Sequence, residues 1–147
     1  MIEIKVPFYS ALVTGDAGVD FVRRARQFHA AAVSLPEVTG ADHNWPRLAL
    51  LGHAAELALL AFLSRSKGSG ATEDKAPRHD LAAHYQLAIK RGFPKIAQSE
   101  RALAVLSEMH RTHYARYPKM GGAQAMISSF DDLVCELIES AARVPAE

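Results

Sequence analysis

The chain of 147 residues has one cysteine, few aromatic residues and almost no net charge. The single cysteine, Cys135, excludes an intrachain disulfide and any zinc site built from paired thiolates. Seventeen basic side chains stand against sixteen acidic ones, so the charge footprint of a protein that coats DNA or RNA is missing. Cys135 lies in DDLVCELIES, a segment typical of a helix, and we expect it to be a small buried hydrophobe.

Sequence signals of several common protein classes are also missing. The GSG at residues 68–70 has no Lys-Ser or Lys-Thr after it, so it predicts no phosphate-binding loop, and no Gly-x-Ser-x-Gly elbow occurs. No secretory pattern opens the chain, because Glu3 and Pro7 interrupt its apolar residues. The most apolar window, residues 48–63, is too short for a membrane span and contains His and Glu. We therefore expect a cytoplasmic protein without membrane association, and no cofactor is predicted.

Most of the chain shows apolar residues at spacings of three and four, which predicts amphipathic helices. Residues 1–13 instead alternate in period two, which predicts an extended N-terminal arm. The fold class predicted is all-α, a single antiparallel bundle of about five helices over residues 14–147. Five segments are predicted as helices: Asp16 or Asp20 to Leu35, Trp45 to Arg65 after an Asn44 cap, His79 to Arg91 before Gly92, Pro94 to a stop before Pro118, and a last helix after Gly122 with the stripe Ala123, Ile127, Phe130, Val134, Leu137 and Ala141.

The second predicted helix is apolar nearly all round, so we expect it at the centre of the bundle. It nevertheless carries His53 and Glu56 on one face, since residues three apart are neighbours on a helix. His110 and His113 have the same spacing on the fourth predicted helix. Two such pairs could hold one zinc or iron ion, although one inward carboxylate is too few for a di-metal bundle. The alternative is a hydrogen-bonded or ion-paired Glu56 that holds the helices in register.

Two further segments carry polar side chains of interest. In PRHDLAAHYQLAIKRGF, residues 77–93, His79 or Asp80 is expected to cap the third helix. His79, Asp80 and His84 could also line a site beside Glu56, the alternative being capping and solvated side chains. In HRTHYARYP, residues 110–118, arginines interleaved with tyrosines could contact a phosphate and stack a base, or could simply close the end of the bundle.

Three stretches together resemble the HEPN-like helical bundle proteins of prokaryotes. These are HAAELALLAFL, then RHDLAAHYQLAIKRGF, then LSEMHRTHYARYPKMGG. That family pairs a His-x-x-Glu-Leu helix with a downstream His-Asp-Leu helix start and a segment that ends in Arg-Tyr. The resemblance covers residues 46–122, about half of the chain, and departs from many relatives at Leu60, where they carry lysine or another polar residue.

The resemblance implies an antiparallel and frequently dimeric bundle, in a superfamily associated with nucleotidyltransferases, toxin–antitoxin pairs and RNA cleavage. Its catalytic members use an arginine with a polar residue directly after it, and a histidine separated from that arginine by four to six residues. Arg78 and His84, with His79 directly after the arginine, fit this pattern. In that role the histidine is the general base for the 2′-hydroxyl and the arginine stabilises the phosphorane, without a metal.

The leading hypothesis is a homodimeric, non-catalytic module that binds a nucleotide, RNA or a partner protein, the partner being a nucleotidyltransferase or an antitoxin. Two alternatives remain, a metal-independent RNase that uses Arg78 and His84, and a metal-binding His/Glu bundle. The expected ligand surface is a polar seam of seven residues: His53, Glu56, His79, Asp80, His113, Arg116 and Tyr117.

Overall fold

A computed structural model describes residues 17–39, 42–66, 79–97, 100–111 and 130–143. Over these ranges the protein is an all-α bundle, as predicted, and the predicted N-terminal arm, residues 1–13, lies outside them. Five helices and one two-residue antiparallel pairing make up the described secondary structure: α1 (Ala17–Val33), β1 (Val38–Thr39), β2 (Asp42–His43), α2 (Trp45–Arg65), α3 (Leu81–Lys90), α4 (Glu100–Arg111) and α5 (Phe130–Arg143).

Helix α2 is the centre of the bundle and packs against each of the other four helices. It begins as predicted, because the side chain of Asn44 accepts a hydrogen bond from the backbone N–H of Arg47 at 3.2 Å. Among the described residues it is the one helix long and apolar enough to cross a membrane by length and composition. However, 61% of its most apolar window is buried inside the bundle, as in the core helix of a soluble protein.

The loop predicted between the first two helices contains a short hairpin. Val38 pairs with His43 and Thr39 with Asp42 in the antiparallel register. The backbone N–H of Asn44 then donates to the carbonyl of Glu37 at 3.0 Å, which closes the hairpin directly before α2. These backbone hydrogen bonds hold in place the residue that caps the central helix.

Helix α3 is confirmed, although it begins two residues later than the predicted His79 and ends one residue before the predicted Arg91. The Asp80 side chain accepts a hydrogen bond from the N–H of Ala83 at 3.0 Å, so Asp80 is the cap of this helix. Gly92 follows the helix with a φ of 100°, the left-handed conformation that glycine adopts without strain. The predicted inner face is confirmed, since Leu81, Tyr85 and Ala88 are buried.

Helix α4 begins at Glu100, so the prediction of a helix start at Pro94 is wrong. Phe93 and Ile96 are both buried, and the N–H of Ile96 donates to the hydroxyl of Tyr85 at 3.2 Å. The N–H of Ala97 donates to Glu136 on α5 at 2.5 Å. These contacts to α3 and α5 hold residues 93–97 on the core in an irregular conformation in place of a first helical turn.

Helix α5 buries the predicted stripe as far as it is described: Phe130, Val134, Leu137 and Ala141 are all buried, while Ala123 and Ile127 lie outside the described residues. The prediction that Cys135 is buried is wrong, because its side chain is exposed. Cys135 directly follows the buried Val134, and one residue along a helix is a rotation of about 100°, so Cys135 lies outside the face that packs on the core. There Cys135 lines an open cleft with Pro94 and Lys95.

Candidate metal centre

Glu56 is a buried carboxylate on the central helix and accepts three hydrogen bonds. Its Oε1 accepts from the backbone N–H of His79 at 3.1 Å. Its Oε2 lies 3.0 Å from Nδ1 of His79 and 2.8 Å from Nε2 of His110. Only 9% of Glu56 is exposed, so these bonds replace most of the water that the carboxylate would otherwise bind.

Three imidazole rings surround this carboxylate, and we call the four residues His53, Glu56, His79 and His110 the histidine–glutamate cluster. His53 and Glu56 lie on α2 and His110 lies on α4, while His79 directly precedes Asp80, the cap of α3. The ring of His110 has its centroid 5.0 Å from that of His53 and 5.1 Å from that of His79, and His53 and His79 are 6.4 Å apart. All three ring pairs are nearly perpendicular.

The cluster has the donor set and spacing of a transition-metal site. One ligand atom from each of His53, Glu56 and His110 lies within 4.8 Å of the other two. Ligands about 2.1 Å from an ion are separated by about 3.0 Å at right angles and about 3.4 Å at the tetrahedral angle. The observed 2.8 Å between Glu56 and His110 is close to these values, so an ion needs mainly the approach of His53.

The ionisation of Glu56 is strongly perturbed. Burial raises the pKa of its carboxyl group, but the hydrogen bonds from His110 and His79, the charge of His110 and the backbone N–H of His79 together lower the pKa to about 2. The carboxylate is therefore ionised at neutral pH and can only accept hydrogen bonds. The facing nitrogens, Nδ1 of His79 and Nε2 of His110, must carry the protons in the metal-free protein.

Two backbone features fix the cluster. His79 has a φ of 63°, the one left-handed non-glycine residue among those described, and this conformation aims both its N–H and its ring at Glu56. Gly52, one turn before Glu56 on α2, lies directly under the His110 ring. A Cβ at position 52 would be 2.6 Å from Nδ1 of His110, far closer than normal contact, so only glycine admits the ring in this position.

His53 is the accessible member of the cluster. It is exposed, whereas His110 is 8% exposed and lies deeper between α2 and α4. The ring of Phe28, on α1, packs on His53 with centroids 5.5 Å apart. Helix α1 thus also contributes to the surroundings of the site, and solvent reaches the site from the His53 side.

Of the predicted polar seam, the structure brings together His53, Glu56 and His79. Asp80 lies next to His79 but uses its carboxylate for the α3 cap and lies 3.4 Å from the hydroxyl of Ser107. That hydroxyl in turn accepts the N–H of Ala82 at 2.9 Å, which ties α3 to α4. The remaining predicted seam residues, His113, Arg116 and Tyr117, lie outside the described residues.

Of the predicted catalytic pair, Arg78 lies outside the described residues and His84 is buried in α3. His84 is 5% exposed, so the alternative of a solvated side chain is wrong. Its Nδ1 lies 2.6 Å from the carbonyl oxygen of Asp80, to which it donates. This bond joins the ring to the first turn of its own helix.

His110 is the member of the cluster that the seam prediction missed. The sequence placed it in a pair with His113, and only the metal alternative used it. A signal for it was present, because Leu103, Leu106 and His110 follow one another at spacings of three and four, and all three are buried.

The described residues define an all-α bundle with a histidine–carboxylate cluster between its helices. Comparison of the chain with protein-family models, curated proteins and solved structures finds no match. The functional argument therefore rests on the chemistry of the cluster.

Proposed function

We propose that this protein binds one divalent transition-metal ion, zinc or ferrous iron, through His53, Glu56 and His110. The observation that carries the proposal is the convergence of two imidazoles and one ionised carboxylate, from two helices, with donor atoms within 4.8 Å of one another. Two histidines and one carboxylate are a common donor set for zinc and for non-haem iron.

The donor chemistry favours these ions over magnesium and calcium. Both of those ions prefer six or more oxygen ligands, which a site rich in imidazole does not offer. Glu56 is also suited to bind through one oxygen only, because the N–H of His79 occupies Oε1 and leaves Oε2 facing the histidines. A compact ion with nitrogen affinity fits this arrangement.

Binding changes the hydrogen bonds of the cluster in a defined way. Nε2 of His110 must give up its proton to the solvent or to the other ring nitrogen before it can ligate an ion. The hydrogen bond to Glu56 is then replaced by a shared metal ion at nearly the same separation of the two atoms. Little movement of α2 against α4 is needed, since the two ligand atoms are already 2.8 Å apart.

The test is calorimetric titration with zinc, and with ferrous iron under anaerobic conditions, of protein from which a chelator has removed any metal. We expect one ion per chain, and a loss of affinity of at least tenfold in His53→Asn, which changes an exposed side chain and should leave the fold intact. His43→Asn is the matched control, because His43 lies in β2 and is not part of the cluster. Equal affinity of wild type and His53→Asn, or no binding at all, would contradict the proposal.

The functions implied by the resemblance stay predictions. They are a cytoplasmic homodimeric module that binds a nucleotide, RNA or a toxin–antitoxin partner, and an RNase that uses Arg78 and His84. The burial of His84 and its bond to the Asp80 carbonyl give the RNase hypothesis no support. Labelled RNA incubated with the protein in EDTA, beside His84→Ala, tests it directly: cleavage that the variant loses would establish it.

A further inference from the structure

His79 is held against Glu56 by its backbone as well as by its ring. Its backbone N–H and its Nδ1 both contact Glu56, and its left-handed φ of 63° is a conformation that residues with a side chain adopt only rarely. Strain of this kind persists where the surrounding structure enforces it, and it concentrates at ligand sites. The conformation of His79 therefore requires an account beyond the capping of α3, which Asp80 already provides.

We infer that His79 is a fourth ligand of the metal ion, through Nδ1, so that three imidazoles and one carboxylate hold it. The inference rests on the proposed function and extends it from three protein ligands to four. It assigns the site to a class that encloses its ion, in contrast to a three-ligand site that keeps a position for water or substrate.

The ring positions agree with this assignment. An imidazole bound at 2.0–2.1 Å has its ring centroid about 3.2 Å from the ion, so two such rings at the tetrahedral angle have centroids about 5.2 Å apart. The separations of His110 from His53 and from His79, 5.0 and 5.1 Å, match that value. The separation of His53 from His79, 6.4 Å, exceeds it by about 1.2 Å, a closure that the exposed side chain of His53 can supply.

The contact of His79 with Glu56 points the same way. Nδ1 of His79 and Nε2 of His110 lie 3.0 and 2.8 Å from the same carboxylate oxygen, Oε2. Each nitrogen is therefore at ligand-to-ligand distance from the oxygen that would bind the ion. His79 lies outside the set of ligand atoms within 4.8 Å of one another, which His53, Glu56 and His110 form, so the rings of His53 and His79 must approach each other when the ion binds. The backbone N–H of His79 meanwhile stays on Oε1 and keeps the residue in place.

A closed site of this composition has a structural consequence. It would join α2, the start of α3 and α4 through one ion, at three points separated by 23 and 31 residues along the chain. The bound ion would be a cross-link within the bundle, and the chemical class expected is zinc or another borderline ion that prefers nitrogen donors.

The competing role for His79 is a hydrogen-bond partner that orients Glu56 without touching the ion. Loss of such a partner lowers metal affinity by about 10- to 100-fold, a range that overlaps the loss of at least tenfold expected when a ligand is removed. Affinity therefore cannot separate the two roles. The protonation of Nδ1 can, because a ligand nitrogen has no proton whereas a nitrogen that donates to Glu56 keeps it.

The experiment is a zinc titration of the full chain labelled with ¹⁵N in its histidines, followed by NMR of the ring nitrogens. We expect three rings, those of His53, His79 and His110, to change to the shifts of metal-bound nitrogen at one equivalent of zinc. Bound shifts for His53 and His110 with a proton retained on Nδ1 of His79 would overturn the inference and leave the proposed function standing. No bound shift in any ring would overturn both.

His79→Asn isolates the ring from the backbone. Asparagine tolerates the left-handed conformation, so the N–H bond to Oε1 of Glu56 can persist while the imidazole is lost. X-ray absorption of the zinc-loaded variant should count two imidazoles where the wild type and the control His43→Asn count three. An unchanged count in His79→Asn would overturn the inference, whatever the change in affinity.

Discussion

Replacement of Gly52 by alanine tests the packing on which the histidine–glutamate cluster depends. Within a helix, alanine is about 1 kcal/mol more favourable than glycine, so an unobstructed Gly52→Ala change would stabilise α2. The new Cβ would lie 2.6 Å from Nδ1 and 2.9 Å from Cγ of His110. The ring must retreat by about 1 Å to reach ordinary contact, since carbon contacts are about 3.5 Å or longer.

That retreat is expected to break the 2.8 Å bond between His110 and Glu56. A hydrogen bond to a charged group contributes about 1.5–3 kcal/mol, so Gly52→Ala should lower the free energy of unfolding by about 0.5–2 kcal/mol after the gain in helix propensity. In a His110→Ala background the ring is gone, and residue 110 keeps only its Cβ, 3.2 Å from the new methyl carbon, a contact that a shift of a few tenths of an ångström relieves. The same substitution should then raise the free energy of unfolding by about 1 kcal/mol or slightly less.

The measurement is urea unfolding of the wild type, both single variants and the double variant, with a chelator present so that metal plays no part. The expected coupling energy is about 1.5–3 kcal/mol, well above the 0.3–0.5 kcal/mol within which independent sites add. If Gly52→Ala stabilised both backgrounds equally, the His110 ring would not lie on Gly52 and the geometry of the cluster would be wrong.

Three further predictions concern stability without metal. Because the pKa of Glu56 falls from 4.5 to about 2 on folding, its ionised form stabilises the protein fully above pH 4.5, and about 3 kcal/mol of that stability is lost as the pH falls from 4.5 towards 2. Urea unfolding over this range should show the loss, and Glu56→Gln should abolish this pH dependence. Asp131→Ala should lower the free energy of unfolding in urea by about 2–4 kcal/mol, because it leaves the guanidinium of Arg47, which is 3% exposed, without its ion pair. The double variant with Arg47→Met should recover much of that loss. Tyr85→Phe should lower the unfolding free energy by about 1–2 kcal/mol, since the buried N–H of Ile96 loses its acceptor; no change would show that the N–H finds water.

The helices could be predicted where local chemistry sets their limits. Asn44 and Asp80 cap helices, and Gly92 ends one, because each acts on the backbone within a few residues of itself. The start of α4 could not be predicted in this way. It depends on the hydroxyl of Tyr85 and the carboxylate of Glu136, which reach it from other helices.

The site was partly visible in the sequence for the same reason. His53 and Glu56 share a helix face by spacing alone, whereas the approach of His110 to them depends on how α4 is rotated against α2. That rotation depends on Gly52, because only a residue without a Cβ at position 52 allows the His110 ring to approach α2 so closely. The left-handed conformation of His79 could not be predicted from the sequence either, because glycine is the residue that usually marks such a position.

The sequence separation of the cluster residues has a consequence for folding. His53, Glu56, His79 and His110 span 58 positions of the chain, so an unfolded chain cannot present them together. An ion that binds only the folded protein, at a free concentration one hundred times its dissociation constant, adds about 2.7 kcal/mol to the stability of the native state. The melting temperature of the protein would then report the availability of the metal in its surroundings.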